Sequence, residues 1–237
     1  MKIFDKIVDL LLPPVICLGC EEPRKIDFGA PLCKKCEEEL ETLKLSEYVC
    51  LNCLSPLSSN STCKYCQEGG MQNIYQAFAP YHYHGVARKL IIQLKFGFVD
   101  DAAIPLADAM YQCIYGMPFD AMVPVPLHKD RLRERGINQS ERLSELISAQ
   151  NGIPILKALE KIKKTKRQSS LNKKEKRESN VKGAYAICED VEGLNLLLID
   201  DVRTTGSTAR ACAKELASHG AKSVSLLTAA VAPPKEK

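Results

Sequence analysis

The stretch L-L-L-I-D-D-V-R-T-T-G-S-T-A, residues 196–209, decides the fold of this chain. Its opening belongs to an apolar run over residues 194–199, as expected of a strand covered on both faces. Such a strand delivers its carboxyl end to the sheet edge where open α/β folds bind ligands. Asp200 and Asp201 stand at that edge as acceptors, suited to the two hydroxyls of a ribose and, through water, to a divalent ion. Thr204, Thr205, Ser207 and Thr208 supply hydroxyls, and Gly206 lets the backbone turn closely around a ligand. A helix predicted over residues 207–218 follows, so loop amides and helix N-terminus together form an anion site fit for a phosphate. The stretch lacks the G-x-x-x-x-G-K of a Walker loop and the G-x-G-x-x-G of a dinucleotide site.

Working outward, strands and helices alternate from about residue 77. Strands are predicted over residues 77–83, 121–125, 194–199 and 224–231, and helices over 85–94, 101–114, 139–149 and 207–218, with Asn138 as a cap for the third. That alternation predicts an α/β domain over residues 74–237, built on a doubly wound parallel sheet.

The first 73 residues read differently. Of the eleven cysteines, eight form four C-x-x-C pairs: Cys17/Cys20, Cys33/Cys36, Cys50/Cys53 and Cys63/Cys66. Two residues between thiolates let one tight turn present both sulfurs to a single ion, and a second turn completes a tetrahedron around zinc. Sequential pairing gives one ion to Cys17, Cys20, Cys33 and Cys36, and another to Cys50, Cys53, Cys63 and Cys66. Residues 1–73 are therefore expected to hold a small zinc-ribbon module with two structural zinc ions. Disulfides conflict with the lack of a secretion signal, and redox C-x-x-C motifs belong in a βαβ setting. With eleven acidic against eight basic side chains, residues 1–73 make a poor phosphate surface and point to a structural or protein-docking role. Cys113, Cys188 and Cys212 are expected to be buried apolar fillers.

Net charge is +4, too small to mark a nucleic-acid binder, but residues 157–182 carry eleven Lys/Arg against three Glu. A single-stranded nucleic-acid surface there would have charge in its favour, though it lacks interleaved aromatics for stacking. Residues 1–12 read as a short amphipathic helix stopped by Pro13 and Pro14, packed on the protein body. It has neither the uncharged core nor the cleavage site of a signal peptide, so a cytoplasmic location is expected.

The run at 196–208 resembles the 5-phosphoribosyl-1-pyrophosphate (PRPP) signature of type I phosphoribosyltransferases. By that resemblance Asp200 and Asp201 would hold the ribose hydroxyls, and Thr204, Thr205, Gly206, Ser207 and Thr208 the 5-phosphate. The likeness widens with the cysteine pairs, V-A-R-K-L-I-I-Q-L-K-F-G at 86–97, V-P-V-P-L-H-K-D-R-L-R-E-R-G-I-N-Q at 123–139, and T-K-R-Q-S-S-L-N-K-K-E-K-R-E-S-N-V-K-G-A-Y at 165–185. Together these resemble the ComF family of competence proteins, in which a zinc module precedes a phosphoribosyltransferase-like domain.

PRPP carries a pyrophosphate, so its site needs cations beyond the ribose. Lys95, Arg131, Arg133 and Arg135 are the candidates, and in an extended loop Arg133 and Arg135 would point the same way. Residues 157–182 match the mobile flap of phosphoribosyltransferases, with Gln168, Arg177 and Asn180 at the matching positions. The resemblance implies magnesium arriving with PRPP, and a role in natural transformation at the inner face of the membrane. There the chain would handle incoming single-stranded DNA beside the competence helicase ComFA and the recombination protein DprA. Two readings of the site follow. The chain is either a transferase displacing pyrophosphate from PRPP in favour of an acceptor the sequence leaves unnamed, or an adaptor that binds a phosphoribosyl ligand or a DNA 5-phosphate without turnover.

Overall fold

The computed structural model describes residues 15–24, 30–45, 48–55, 57, 61–97, 99–163 and 183–232. The helix expected over residues 1–12 lies outside them, as does most of the basic segment, residues 164–182 with Gln168, Arg177 and Asn180.

Five strands build the central sheet, and every pairing in it is parallel. Two short antiparallel strands, β1 (Val15–Ile16) and β2 (Pro23–Arg24), come first in the chain. The sheet strands are β3 (Ala77–Phe78), β4 (Tyr81–His82), β5 (Ala121–Pro124), β8 (Asn195–Arg203) and β9 (Ser223–Val231). Both β3 and β4 lie along β9, which pairs with β8, which pairs with β5. The single strand expected over residues 77–83 is thus two, separated by Ala79 and Pro80; proline has no N–H to give to a ladder. A separate antiparallel hairpin, β6 (Leu159–Lys161) with β7 (Tyr185–Ile187), flanks residues 164–182.

Period-two alternation in β8 explains why the sheet needs helices on both faces. Leu197 and Ile199 pack with α3 (Gly85–Ile92), α4 (Ala103–Cys113) and α6 (Gln139–Asn151), through Leu90, Leu106 and Leu143 among others. Leu196 and Leu198 pack with α7 (Ser207–Ser218) and the hairpin, through Cys212, Leu216 and Tyr185. All four β8 side chains are fully buried. The architecture is the doubly wound parallel sheet read from the sequence. Asn138 caps α6 as expected, its side chain accepting from the Ser140 N–H at 3.1 Å.

The cysteine-rich segment contributes α1 (Lys34–Thr42) and the single turn α2 (Lys64–Gln67), and it straddles the sheet. Cys17, Cys36 and Leu40 join the core on the α3/α4 side, whereas Cys50, Cys53, Leu54 and Met71 join the core under α7. Backbone bonds tie both parts to the β3/β4 edge. His82 donates its N–H to Leu43 O (2.8 Å), Leu45 donates to Pro80 O (2.9 Å), and Ala77 donates to Leu51 O (3.3 Å). Among the described residues no helix is long and apolar enough to cross a membrane.

Of the three remaining cysteines, Cys212 is buried as expected and Cys113 is half-buried. Cys188, however, is exposed, just after β7, with its thiol donating to Lys157 O at 3.0 Å. It follows the last strand residue of the hairpin, and alternation from buried Tyr185 puts it on the face turned away from the core.

Because β8 is sandwiched, its side chains should be among the costliest to truncate. Leu198→Ala is expected to lower stability by about 2–5 kcal/mol, read as a fall in the urea midpoint at unchanged slope. A loss under 1 kcal/mol would contradict the packing described.

Candidate functional site

The strand β8 runs further than its apolar stretch, to Arg203, so both aspartates are strand residues at its carboxyl end. Neighbouring strand residues face opposite ways, and the two carboxylates find different surroundings. Asp201, nearly buried, accepts an ion pair from Lys95, Nζ to Oδ2 2.8 Å, with side-chain exposures of only 18% and 12%. Lys95 is delivered by a π-helical turn, Gln93–Gly97, that continues α3. Asp200 is half-buried; its Oδ1 accepts from the Asp201 N–H at 2.9 Å and sits 3.5 Å from the Ser140 hydroxyl. Burial and the adjacent Asp201 carboxylate push Asp200 up to about 7, against the pull of Lys95, the Asp201 amide and Lys161. The site therefore holds one charge-compensated carboxylate and one poised near neutrality.

Beyond the strand, Thr204 is exposed, Thr205 and Thr208 are half-buried, and Gly206 and Ser207 are buried. The Thr205 and Ser207 hydroxyls share a hydrogen bond of 3.1 Å. Gly206 has φ +71°, in the left-handed region that glycine enters without penalty. A Cβ there would also lie 2.7 Å from Met71 Sδ, so the methionine side chain would have to shift to admit one. The helix α7 starts at the next residue, and its first-turn N–H groups have no partner within the helix.

The basic candidates separate. Arg131, Arg133 and Arg135 do not lie in an extended loop but on a short helix, α5 (Lys129–Arg135), whose His128 ring accepts from the Asp130 N–H at 3.3 Å. At 3.6 residues per turn, Arg131 and Arg135 share a face and Arg133 does not. Arg133 is exposed, whereas Arg131 and Arg135 are half-buried. Arg135 donates to Gln139 Oε1 at 2.9 Å and lies 5.2 Å from the centre of the Phe96 ring. Helix formation thus removes the alignment of Arg133 with Arg135 that an extended strand would give.

Lys161 was invisible inside the basic run, yet it is a site neighbour. It is buried in β6, donates to the Tyr185 hydroxyl at 3.2 Å, and stacks 5.1 Å above that ring. Burial and the cation of Arg131 lower its pKa, while Cys212 and Asp200 oppose them. The signal in the sequence was the alternation Leu159, Glu160, Lys161, which is buried, exposed, buried. Lys157, by contrast, is taken up by Glu141 at 2.9 Å.

The eight cysteines gather as the sequential pairing predicts: Cys17, Cys20, Cys33 and Cys36 in one group, Cys50, Cys53, Cys63 and Cys66 in the other. In each group the sulfurs lie within 4.8 Å of one another. The Cys20–Cys33 and Cys53–Cys63 separations, 4.0 and 3.6 Å, bracket the ~3.8 Å edge of a tetrahedron with zinc–sulfur bonds of about 2.3 Å. Both groups also share a turn in which the residue after the second cysteine is left-handed and donates back to the first. Glu21 (φ 64°) bonds Cys17 O at 2.8 Å, and Leu54 (φ 57°) bonds Cys50 O at 2.7 Å. Burial pushes the Cys17 thiol up, but amides of Cys20, Cys33 and Gly19 outweigh it and bring the thiol down to about 6. Cys50 is likewise brought down to about 7, burial opposing the amides of Cys63, Asn52 and Cys53. Burial and neighbouring thiols push Cys36, Cys63 and Cys66 up instead, so it is the donor set and the spacing that fit zinc. These residues would hold it, and it would supply folding free energy rather than chemistry.

Two predictions follow from the carboxylates. A raised Asp200 pKa means the folded protein binds a proton more readily than the unfolded chain, so stability falls as pH rises from about 4 to about 7. Asp200→Asn should therefore raise the melting midpoint by about 2–4 °C at pH 8, roughly 1 kcal/mol, with the gain vanishing near pH 4. A gain independent of pH would refute this. Lys95→Met should cost about 3–5 kcal/mol by stranding Asp201, and adding Asp201→Asn to it should recover most of the loss in a thermal-melt cycle.

Comparison with known proteins now bears on the chain. A double zinc ribbon family model matches residues 7–67. The competence protein ComFC of Bacillus subtilis is 28% identical over 90% of this chain and 94% of its own length. The DNA utilization protein YhgH of Salmonella typhi is 33% identical over 57% of this chain and 63% of its own. Competence protein F of Haemophilus influenzae is 35% identical over 44% and 47%. Among solved structures, the glutamine PRPP amidotransferase of B. subtilis with ADP and GMP aligns at TM-score 0.40 and 18% identity, covering 57% of this chain and 30% of that one. A hypoxanthine phosphoribosyltransferase of Staphylococcus aureus aligns at TM-score 0.32 and 15% identity, covering 63% and 76%. In its two cysteine groups, its parallel sheet and its near full-length match to ComFC, the chain is similar to the ComF family of competence proteins.

Proposed function

We propose that the chain binds a phosphoribosyl ligand, PRPP with magnesium, at the end of β8, and that it serves the handling of incoming single-stranded DNA. The observation that carries the ligand reading is the Asp200–Asp201 pair at a strand end, followed directly by a hydroxyl-rich loop and a helix N-terminus. The carboxylates would accept from the ribose hydroxyls. Thr204, Thr205, Gly206, Ser207 and Thr208 would surround the 5-phosphate. Lys95, Arg131 and Arg135 would balance the pyrophosphate end, with exposed Arg133 at its margin. Magnesium, when bound, would offset charge on the pyrophosphate.

Support for the cellular role comes from the relatives, named as competence and DNA utilization proteins. Residues 157–182 are the proposed DNA surface. Its described part offers Lys163 to solvent, while Lys157 is paired and Lys161 buried. The partners in this reading are the helicase ComFA and the recombination protein DprA, and the setting is the cytoplasmic side of the membrane. A second reading, in which the same site transfers ribose 5-phosphate to an acceptor, is favoured by one feature. The compensated pair of Lys95 with Asp201 beside a near-neutral Asp200 gives the site a group able to exchange a proton near pH 7.

Calorimetry with PRPP and magnesium is expected to show binding that Asp200→Asn and Asp201→Asn each weaken by about 10- to 100-fold, the range for hydrogen bonds to charged groups. Pyrophosphate release in the same mixture, with acceptors added, separates transfer from binding alone. Neutralising Lys163, Lys164, Lys166 and Arg167 should weaken single-stranded DNA binding and flatten its salt dependence. PRPP binding unchanged by both aspartate substitutions would sink the ligand reading.

A further inference from the structure

The second cysteine group and the phosphate loop are parts of one structure. At the end of β8, Arg203 is buried, and among its side-chain nitrogens only NH1 has a hydrogen-bond partner, the Thr204 carbonyl at 3.2 Å. Nε and NH2 are buried without one. No carboxylate lies within ion-pair reach of it among the described residues; the charges that bear on it are the thiols of Cys53, Cys66 and Cys50 and the Tyr65 phenol. A divalent ion on four thiolates keeps a net negative charge, which a buried, weakly hydrated guanidinium suits as counter-ion.

Arg203 also lines a small cavity whose wall includes Asp200, Thr204, Gly206, Ser207 and Thr208. Two further contacts cross the same seam. Arg210, in the first turn of α7, donates to the hydroxyl of Tyr65 and to the Gly70 carbonyl; Tyr65 lies in the turn between Cys63 and Cys66. Met71 Sδ sits against Gly206, 2.7 Å from where a Cβ would stand. The first cysteine group packs on the opposite face of the sheet, with α3 and α4, and makes none of these contacts.

We propose that metal loading of Cys50, Cys53, Cys63 and Cys66, and not of the other group, sets the conformation of residues 204–208 and so controls ligand binding there. Arg203 is the electrostatic link and Tyr65–Arg210 and Met71–Gly206 the packing links. Outer-sphere groups of this kind tune metal affinity, and coupling of two sites is reciprocal. Ligand binding on the loop should then tighten the second metal and leave the first unaffected. The ligand half of this inference rests on the phosphoribosyl reading; the conformational half does not.

The test compares Cys63→Ser/Cys66→Ser with Cys20→Ser/Cys33→Ser in the full chain, and adds Arg203→Met and Tyr65→Ala, which keep all eight cysteines. Zinc content, hydrogen exchange of the 204–209 amides and calorimetry with ribose 5-phosphate are read on each. Loss of the second metal should speed exchange in residues 204–209 and weaken ribose 5-phosphate by about 5-fold or more, whereas loss of the first should change neither. Arg203→Met should lower the zinc affinity of the second group by about 10- to 100-fold and speed the same amides. If the second double variant fails to fold, Arg203→Met and Tyr65→Ala decide the matter by the same readouts. Equal effects from the two groups, or loop exchange indifferent to the second, would overturn the inference. Should the zinc-loaded protein bind no ribose 5-phosphate and no PRPP while loop exchange still follows the second metal, the coupling stands and the ligand reading falls.

Discussion

A strand buried on both faces cannot carry charge along its length, and β8 pushes all of its charge to one end. Four fully buried aliphatic side chains, Leu196 to Ile199, are followed by two carboxylates and then a guanidinium within four residues. Each charge must find a partner where the sheet opens, because an isolated buried ion is costly. Asp201 takes Lys95, Arg203 lies in the field of the second cysteine group, and Asp200 keeps neither to itself. The site, the π-helical turn of Gln93–Gly97 and the seat of the second ribbon all answer to that one constraint.

The cysteine-rich segment acquires a structural meaning from the same sheet. Its two groups clamp opposite faces and hydrogen-bond to the β3/β4 edge, which would otherwise present unpaired backbone groups. A ribbon so placed does more than stabilise itself. The knuckle that holds Cys63 and Cys66 contributes Tyr65 to Arg210, so the phosphate loop is packed from beneath by residues well over a hundred positions away in sequence.

How legible this was in the sequence differs by kind of signal. The sheet, its central strand and the helix after Gly206 were readable because burial on two faces writes an apolar run and a glycine marks the turn. The metal grouping was readable because C-x-x-C spacing is itself the geometry. What escaped depended on tertiary partners. Nothing local says that Lys95 pairs with Asp201 rather than standing free for a ligand, or that Lys161 is buried within a run whose charge suggested a nucleic-acid surface. Arg133 and Arg135 looked aligned because an extended loop was assumed; a histidine-capped helix rotates them apart. Cys188 looked like core and is exposed, since strand alternation from buried Tyr185 turns it to the hairpin's outer face.

The central claim is that the end of β8 is a phosphoribosyl site, with ribose on the carboxylates and phosphate on the loop. A crystal structure of the zinc-loaded chain soaked with PRPP and magnesium tests it most directly. The account predicts ribose hydroxyls within hydrogen-bonding distance, about 2.6–3.2 Å, of Asp200 and Asp201, with the 5-phosphate enclosed by residues 204–208. Ligand density on another surface, with Lys95 still on Asp201 and the loop unchanged, would contradict it.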